Sequence, residues 1–374
     1  MDDLRVKWLV VDDINKRKPK AMEKRDVLVS IFCITYNHEQ FIRQALESFV
    51  VQKTNFDYEV IVHDDASTDN TAGIIREFEE KYPNVIKPIY QEVNQYTKGG
   101  GVTKYLLPKA QGKYIAFCEG DDFWTDSRKL QMQTEALEAN EECAICFNKV
   151  ELADVESRRR GIMLPMINRV GKGVIKSTDF LAFVAFPGEF QCMSYQLSGC
   201  MVRRKYLIEY YEEEPLFKRV FDVGDLPLFL YMGTKGDAYY IDCCMSCYRT
   251  GNLNSWAGRI RESVDKEVEH YERESNGFRE FDCYSNFTIH DSIEKGIKNR
   301  EFICLRCRHD VANMKRGEMR ELYYRLPLKS RVAQHIFYFF PRSESIWIKI
   351  KSSRCIQGWR DKKAKALQKR QKSG

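Results

Sequence analysis

No stretch of the 374 residues approaches the ~20 consecutive apolar positions that a membrane-spanning helix needs, which excludes a helical integral membrane protein. The opening MDDLRVKWLVVDDINKRKPK also lacks the apolar block of a secretory leader, so the expected site of action is the cytoplasm. Neither the P-loop spacing nor the G-x-G-x-x-G dinucleotide fingerprint occurs. The six histidines show no H-E-x-x-H spacing and no G-x-S-x-G elbow is present, so the zinc-protease and serine-hydrolase signatures are missing. Cysteine is not scarce, but a disulfide framework is: the 13 cysteines are an odd set scattered through strand-like and helix-like segments, as reduced thiols are. Three pairs stand at i and i+3, Cys143 with Cys146, Cys244 with Cys247, and Cys304 with Cys307. Two such pairs brought together would make a zinc site, but their core-strand and helical settings favour small buried hydrophobes.

What is present is a core-forming composition, 43% hydrophobic, with a formal charge of +6 that is unevenly placed. Residues 342–374 hold eleven Lys/Arg against two acidic residues, a balance of +9 that leaves −3 for the rest. A body of slightly negative charge argues against nucleic acid as a partner, because phosphate contacts need cations spread along the docking surface.

Residues 1–24 read as a charged extension. From Val27, VLVSIFCIT is a strand pattern, and Phe41, Ile42, Ala45, Leu46, Phe49 and Val50 then recur at helical spacing. Asn37 and Gln40 are spaced as a capping box for that helix. The alternation continues through YEVIVH, a helix around Ile74, Ile75 and Phe78, VIKPIY, a short helix near Leu106, KYIAFC, a helix over 127–139, and CAICFN. Strands alternating with helices predict an α/β fold with a mainly parallel sheet covered on both faces. Residues 151–255 are less regular, with turns near Gly171, Gly173 and Pro187 and a helix from Asp225 to Met232. Mixed charge and apolar residues at helical spacing then predict a helical appendage over 256–335.

In such sheets ligands bind beyond the carboxyl ends of the strands. Three strand ends concentrate polar groups: Thr35-Tyr36-Asn37, Asp64-Asp65-Ala66-Ser67 and Glu119-Gly120-Asp121-Asp122. Two like charges ~4 Å apart repel by ~4 kcal/mol at an effective dielectric near 20. A hard divalent ion, Mn²⁺ or Mg²⁺, would offset that repulsion, and such ions bind one or two carboxylates together with substrate phosphates. The chemistry points to a diphosphate substrate. Taken singly, a strand-ending Asp pair is also what a turn or helix cap looks like, and Thr68, Thr71 and Ser127 sit at capping positions.

The segments VSIFCITYNHEQFIRQALESFVVQ, YEVIVHDDASTDNT, GKYIAFCEGDDFW and VGDLPLFLYM, in that order, resemble the successive motifs of family 2 glycosyltransferases of the GT-A fold. The likeness covers roughly residues 27–250 and is most similar to bacterial members that build capsules, exopolysaccharides and lipopolysaccharides. It implies a Rossmann-like GT-A domain over 25–255, with a nucleotide-sugar half at 25–150 and an acceptor half at 151–255. By the same resemblance, Tyr36 would lie against the nucleotide base, Asp65 would hydrogen-bond the base and Asp64 would support the turn. Glu119 and Asp121 stand where the family has its Asp-x-Asp metal motif, with Glu119 one methylene longer than usual, and Asp122 would contact the donor sugar or ribose. Asp225 stands at the family's catalytic base, where a carboxylate would take the proton of an acceptor hydroxyl in a single inverting displacement. The implied donor is a nucleoside-diphosphate sugar, UDP by resemblance, and the acceptor a glycan or lipid-linked glycan.

Lys98 and Lys104, with the run Gly99-Gly100-Gly101 between them, suggest a loop over the diphosphate, and Arg249 is a second candidate for the donor phosphates. Trp124 and Trp256 are candidates to stack on sugar rings. Residues 336–374 join aromatics such as Phe337, Tyr338, Phe339 and Trp347 to a cluster of cations, which suits a peripheral membrane segment on the inner face of the cell membrane. Two other accounts compete: a non-catalytic nucleotide-sugar-binding scaffold, suggested by Glu119, and a nucleotidyltransferase, which shares the core and metal logic but lacks here a basic Gly-rich loop after the first strand.

Overall fold

The structure, a computed structural model, describes residues 26–96, 103–164, 172–186, 196–251, 259–260 and 262–339. Strands β1 (Val27–Thr35), β2 (Asp57–Asp64), β3 (Ile86–Tyr90) and β4 (Tyr114–Phe117) lie in the order β3-β2-β1-β4, all parallel. The crossovers are helical: α1 (Ile42–Val50), α2 (Thr71–Lys81) and the short α3 (Thr103–Leu106). A parallel sheet covered on both faces needs apolar residues on both, and β1 supplies them with period two. Val29, Ile31 and Cys33 pack with Ile42, Leu46 and Phe49 of α1 and with Ile74, Ile75 and Phe78 of α2. Phe32 faces the other way, into a second core with Ile61, Ile115 and Phe117.

The capping box expected at Asn37 and Gln40 does not form. Helix α1 begins at Ile42 with Phe41 at its N-cap and no side-chain cap. Asn37 adopts a left-handed φ of 53°, a conformation Asn tolerates, and its side chain bonds the neighbouring β2–α2 loop instead.

The chain continues through β5 (Phe123–Trp124), α4 (Lys129–Ala139), β6 (Cys143–Ala153), β7 (Arg159–Leu164), β8 (Gly173–Ile175), α5 (Ser177–Ala185), β9 (Cys200–Arg203), α6 (Arg204–Glu213), α7 (Leu216–Val220), α8 (Asp225–Lys235) and β10 (Asp237–Arg249). This half of the sheet is mixed. Strand β9 runs antiparallel to both β4 and β6, β10 is parallel to β6, and β5, β7 and β8 pair antiparallel. An antiparallel neighbour needs no helical crossover, so this part of the sequence carries no regular strand–helix alternation.

Among the described residues five helices follow: α9 (Val264–Tyr284), α10 (His290–Cys307), α11 (Val311–Met314), α12 (Met319–Arg325) and α13 (Leu328–Phe339). Ser263 caps α9, its hydroxyl accepting from the Lys266 N–H at 3.2 Å. The first two are continuous with the sheet's own core: Phe281 meets Phe217 edge-on at 5.2 Å, and Phe278 meets Phe221 at 5.3 Å. Gly277 makes that second contact possible, since a Cβ there would come within 2.6 Å of the Phe221 ring. None of the described helices is long and apolar enough to cross a membrane. The expected turns at Gly171 and Pro187, the segment Lys98 to Gly101, Trp256 and most of the basic tail lie outside the described residues.

Candidate active site

Parallel β1, β2 and β4 end at the same edge, and this brings the three polar clusters together. Thr35 is in register with Asp64, and the chain beyond β4 keeps pairing with β1: Cys118 N–H donates to Phe32 O at 3.1 Å and Gly120 N–H to Ile34 O at 2.8 Å. Residues 119–122 therefore lie beside Thr35. Gly120 is required here, because a Cβ would sit 2.7 Å from the Thr35 side chain and 3.1 Å from His38 Nδ1. The β1–α1 and β2–α2 loops are laced together by local polar bonds. Thr68 N–H donates to Asn37 Oδ1 at 2.8 Å, His38 N–H to Thr71 Oγ1 at 2.8 Å, and Asn70 N–H to Glu39 Oε2 at 3.0 Å.

Tyr36 stands at this edge with 42% of its surface exposed, available to a flat ligand. Asp64 is buried and accepts from the Ser67 hydroxyl, closing a turn in which Ala66 has φ 62°. Asp65 is also buried. Its carboxylate accepts from Gln95 N–H at 2.7 Å and Tyr96 N–H at 3.0 Å, fixing the segment after β3 against the edge. Lys104, exposed on α3, has its ammonium 5.1 Å from the Tyr105 ring, and Tyr105 in turn donates to Gln95 at 2.8 Å.

The floor of the edge is acidic. Water reaches Glu119, yet protein surrounds it closely; burial, then the charges of Asp121 and Asp225, push its carboxyl up to about 8. Asp121 has 18% of its side chain exposed, and its carboxylate lies 3.9 Å from His38 Nε2. Asp225 is the first residue of α8 and accepts from the Leu226 N–H at 2.8 Å. Burial raises its carboxyl, with the backbone N–H groups of the helix start opposing. Asp121 and Asp225 thus both bear on Glu119 electrostatically. Among the described residues no group of three or more His, Cys, Asp or Glu is arranged as a metal cage. Glu119 and Asp121 offer two hard oxygen donors, and the repulsion raising Glu119 is what a divalent cation would relieve. That set fits an ion whose remaining ligands are substrate phosphates and water.

Two sequence candidates take different positions from those expected. Asp122 is fully buried. It accepts from the Ser198 hydroxyl and, at 2.9 Å, from the Arg249 N–H, and burial with the charges of Asp121 and Glu119 drives its carboxyl well above the ordinary range. Arg249 ends β10 with only 5% exposure. Its guanidinium donates to Asp121 O, to Gln44 Oε1 and, at 2.9 Å, to Ser157 Oγ, between the rings of Phe41 and Phe123 at 4.9 and 4.8 Å. Trp124 is core: its indole N–H donates to Ser198 O at 3.0 Å, and the buried Lys129 ammonium lies 4.1 Å from its ring. The structure also brings in residues that the sequence reading passed over: His38, Gln44, Ser157, Ser198 and, behind Asp225, Asp222 with His270. His38 and Gln44 sit inside the first quoted motif and Asp222 just before the last, whereas Ser157, Ser198 and His270 meet their partners across more than 40 residues of chain. A separate cavity of about 790 Å³ lies where β1 and β4 begin, lined in part by Lys113, Arg204 and Lys205, at the opposite edge from these carboxylates.

With this geometry in place, the comparisons assign a family to the larger part of the sheet domain. The model described as glycosyl transferase family 2 matches residues 30–210. These residues form a family 2 glycosyltransferase domain. An uncharacterized protein of Mycobacterium tuberculosis is 44% identical over 124 residues, 33% of this chain and 35% of its own length. The UDP-Glc:alpha-D-GlcNAc-diphosphoundecaprenol beta-1,3-glucosyltransferase WfgD of Escherichia coli is 35% identical over 116 residues, 31% of this chain and 43% of its own. The matches thus span less than half the length of these relatives. Among solved structures, Staphylococcus aureus TarS 1–349 in complex with UDP-GlcNAc superposes with a TM-score of 0.51 at 15% identity, covering 82% of this chain and 79% of that one. The GT-A fold, a mixed sheet flanked by helices with a helical region after it, is therefore established for this chain.

Proposed function

We propose that the protein transfers a sugar from a nucleoside-diphosphate sugar, with UDP as the carrier, to a hydroxyl of a glycan or lipid-linked glycan in surface polysaccharide assembly, inverting the anomeric centre. The observation that carries the reading is the acidic strand edge beside exposed Tyr36, where Glu119 feels the charges of Asp121 and, from the start of α8, of Asp225. The family 2 glycosyltransferase domain supports sugar transfer, the similarity to WfgD, a GlcNAc-diphosphoundecaprenol glucosyltransferase, supports a lipid-linked acceptor, and that protein and the TarS complex support a UDP-sugar. Tyr36 would pack on the base, and the Asp65-anchored segment at Gln95 and Tyr96 would border it. Lys104, exposed on α3, would meet the diphosphate, whereas Arg249 and Asp122 would act as positioning residues that hold the turn carrying Asp121.

In the reaction the acceptor oxygen forms a bond to the anomeric carbon while the bond from that carbon to the diphosphate oxygen breaks. The proton leaves the acceptor hydroxyl for a carboxylate oxygen of Asp225, whose raised basicity suits that role. A divalent ion held by Glu119 and Asp121 would supply positive charge to the departing diphosphate. Peripheral docking on the inner face of the membrane through residues 336–374 is part of the same reading. Leu328, Val332, Ile336 and Phe339 form an exposed stripe on α13, and no acidic residue occurs from 322 to 343. Flotation with anionic vesicles should recover the full chain and lose the chain truncated before 336; equal recovery of both would contradict the docking.

The direct test incubates the protein with UDP-glucose, UDP-galactose and UDP-N-acetylglucosamine, Mn²⁺, and undecaprenyl-diphosphate-linked N-acetylglucosamine, and analyses the lipid product by mass. Addition of one hexose or N-acetylhexosamine supports the reading. Release of pyrophosphate from a nucleoside triphosphate, with no addition from any nucleotide sugar, would replace it with nucleotidyl transfer.

A further inference from the structure

The first helix after the sheet makes polar contact with the loop that leads into Asp225. His270, on α9 and only 7% exposed, places Nδ1 at 2.8 and 3.0 Å from the two carboxylate oxygens of Asp222, three residues before the candidate base. Its Nε2 lies 3.4 Å from Glu274 Oε1 on the same helix. A neutral imidazole has one N–H and one lone pair, so one of its nitrogens would point a lone pair at an ionised carboxylate. Flanked on both sides by carboxylates, this ring is satisfied as an imidazolium. Glu274 is shared with Arg300 of α10, whose Nε donates to Oε2 at 2.7 Å and whose guanidinium stacks 4.3 Å from Phe278. The charged and titratable groups around His270 among the described residues include Asp222 from the loop, Glu274 and Tyr271 from its own helix, Arg300 from α10 and Asp225 from α8.

The apolar contacts run through the same segment. Phe221, next to Asp222, is locked against Phe278 in the notch left by Gly277, and Arg273 Nε donates to Val220 O at 3.4 Å. Residues 220–222 are thus held by α9 from three directions, and only Val223 and Gly224 separate them from Asp225.

We propose that His270, as an imidazolium, is a positioning residue for the transfer reaction: it holds the turn at 222–225 and, with it, the carboxylate that accepts the proton. The inference rests on the reading of Asp225 as the base. Burial disfavours the His270 cation, but the hydrogen bond to Asp222 and the charges of Glu274 and Asp222 outweigh it and raise the imidazole above its ordinary value of about 6.5. Deprotonation at higher pH leaves two carboxylates facing a neutral ring next to a third, Asp225, and loosens the turn. The helices beyond the sheet thereby set the alkaline limit of the reaction.

The test uses the full chain and its variants His270→Gln, His270→Arg and Asp222→Asn, with Asp225→Asn as the reference. Release of UDP from UDP-glucose, with water as acceptor, is followed across pH, and amide hydrogen exchange of residues 220–226 is followed in parallel, corrected for intrinsic rates. Wild type should lose rate as pH rises through the His270 pKa, with faster exchange in 220–226 over the same interval. His270→Gln and Asp222→Asn should each lower kcat ~10- to 10²-fold at pH 7 with the KM for UDP-glucose little changed, as a displaced reacting group does, and should lose the alkaline limb. His270→Arg should keep slow exchange without that limb. Exchange in 220–226 that is the same in wild type and His270→Gln at every pH, or a kcat profile in His270→Gln that superposes on wild type, overturns the proposal. Should wild type not turn over UDP-glucose, the exchange measurement decides by itself. If Asp225→Asn keeps wild-type turnover, the base reading fails; if it abolishes turnover while His270→Gln leaves the profile unchanged, the base stands and the positioning role falls.

Discussion

The β1–β4 half and the part of the chain that supplies Asp225 build the candidate site by different means. In the first, short loops at the ends of parallel strands carry the residues, and backbone pairing sets their positions: Gly120 N–H to Ile34 O and Asp65 N–H to Thr35 O tie each cluster to β1. In the second, Asp225 begins a helix, and the turn before it is held by side chains from α9, more than 40 residues further on. Strand register places groups through bonds that nearly every residue can make, whereas a helical buttress depends on particular side chains. Substitutions should accordingly act on chemistry in one half and on stability or loop order in the other.

The largest effect is expected where the second half touches the reaction. Asp225→Asn keeps the size of the side chain but removes the proton acceptor, so turnover should fall ~10²- to 10⁴-fold while UDP binding survives. Calorimetric binding beside a rate assay checks both halves of that statement. Arg249, which ends β10 and reaches across to the first half, is expected to act on stability: Arg249→Ala should cost about 2–3 kcal/mol, because a charged donor group is lost while Asp121 O, Gln44 and Ser157 lose their partner. If Arg249 instead met the donor, the variant would unfold at the wild-type denaturant midpoint and bind UDP weakly.

How far each half could be read from sequence follows the same division. The strands at 27–35 and 57–64 and the clusters at Tyr36, Asp64-Asp65 and Glu119-Gly120-Asp121 were legible because apolar period, turn residues and strand ends are local signals. The capping box at Asn37 failed for a tertiary reason: the Asn37 side chain accepts from the Thr68 N–H, 31 residues on, and leaves its own helix uncapped. The buried setting of Asp122 was not legible, since Ser198 and Arg249 reach it across 76 and 127 residues. Arg249 looked like a phosphate ligand for want of any sign that Gln44 and Ser157 surround it. The contact of His270 with Asp222 spans 48 residues between a loop and a helix whose pattern announces only amphipathicity.

Smaller effects sharpen the contrast. Gly120→Ala forces a Cβ against Thr35 and should cost about 1–3 kcal/mol, the range for overpacking, with a parallel loss of UDP affinity because the turn carrying Asp121 must shift. Thermal unfolding and UDP titration of one preparation would show whether the two losses travel together. Ser263→Ala, which removes the cap of α9, should cost about 1 kcal/mol in chemical denaturation and leave UDP binding untouched. The smallest effect is the pH dependence of stability from His270. A folded pKa raised above the unfolded one stabilises the protein fully below about pH 6.5, and that contribution is lost as pH rises through the folded pKa. His270→Gln should flatten this part of the stability curve, measured by urea unfolding at intervals of pH.

The central claim, a nucleotide-sugar site built on Glu119 and Asp121, is tested most directly by calorimetric titration of UDP into the wild-type chain and Asp121→Ala, each with Mn²⁺ and with chelator. The account predicts UDP binding to wild type that needs Mn²⁺ and is weakened at least tenfold by Asp121→Ala. Binding of equal strength in all four titrations, or none in any, would contradict it.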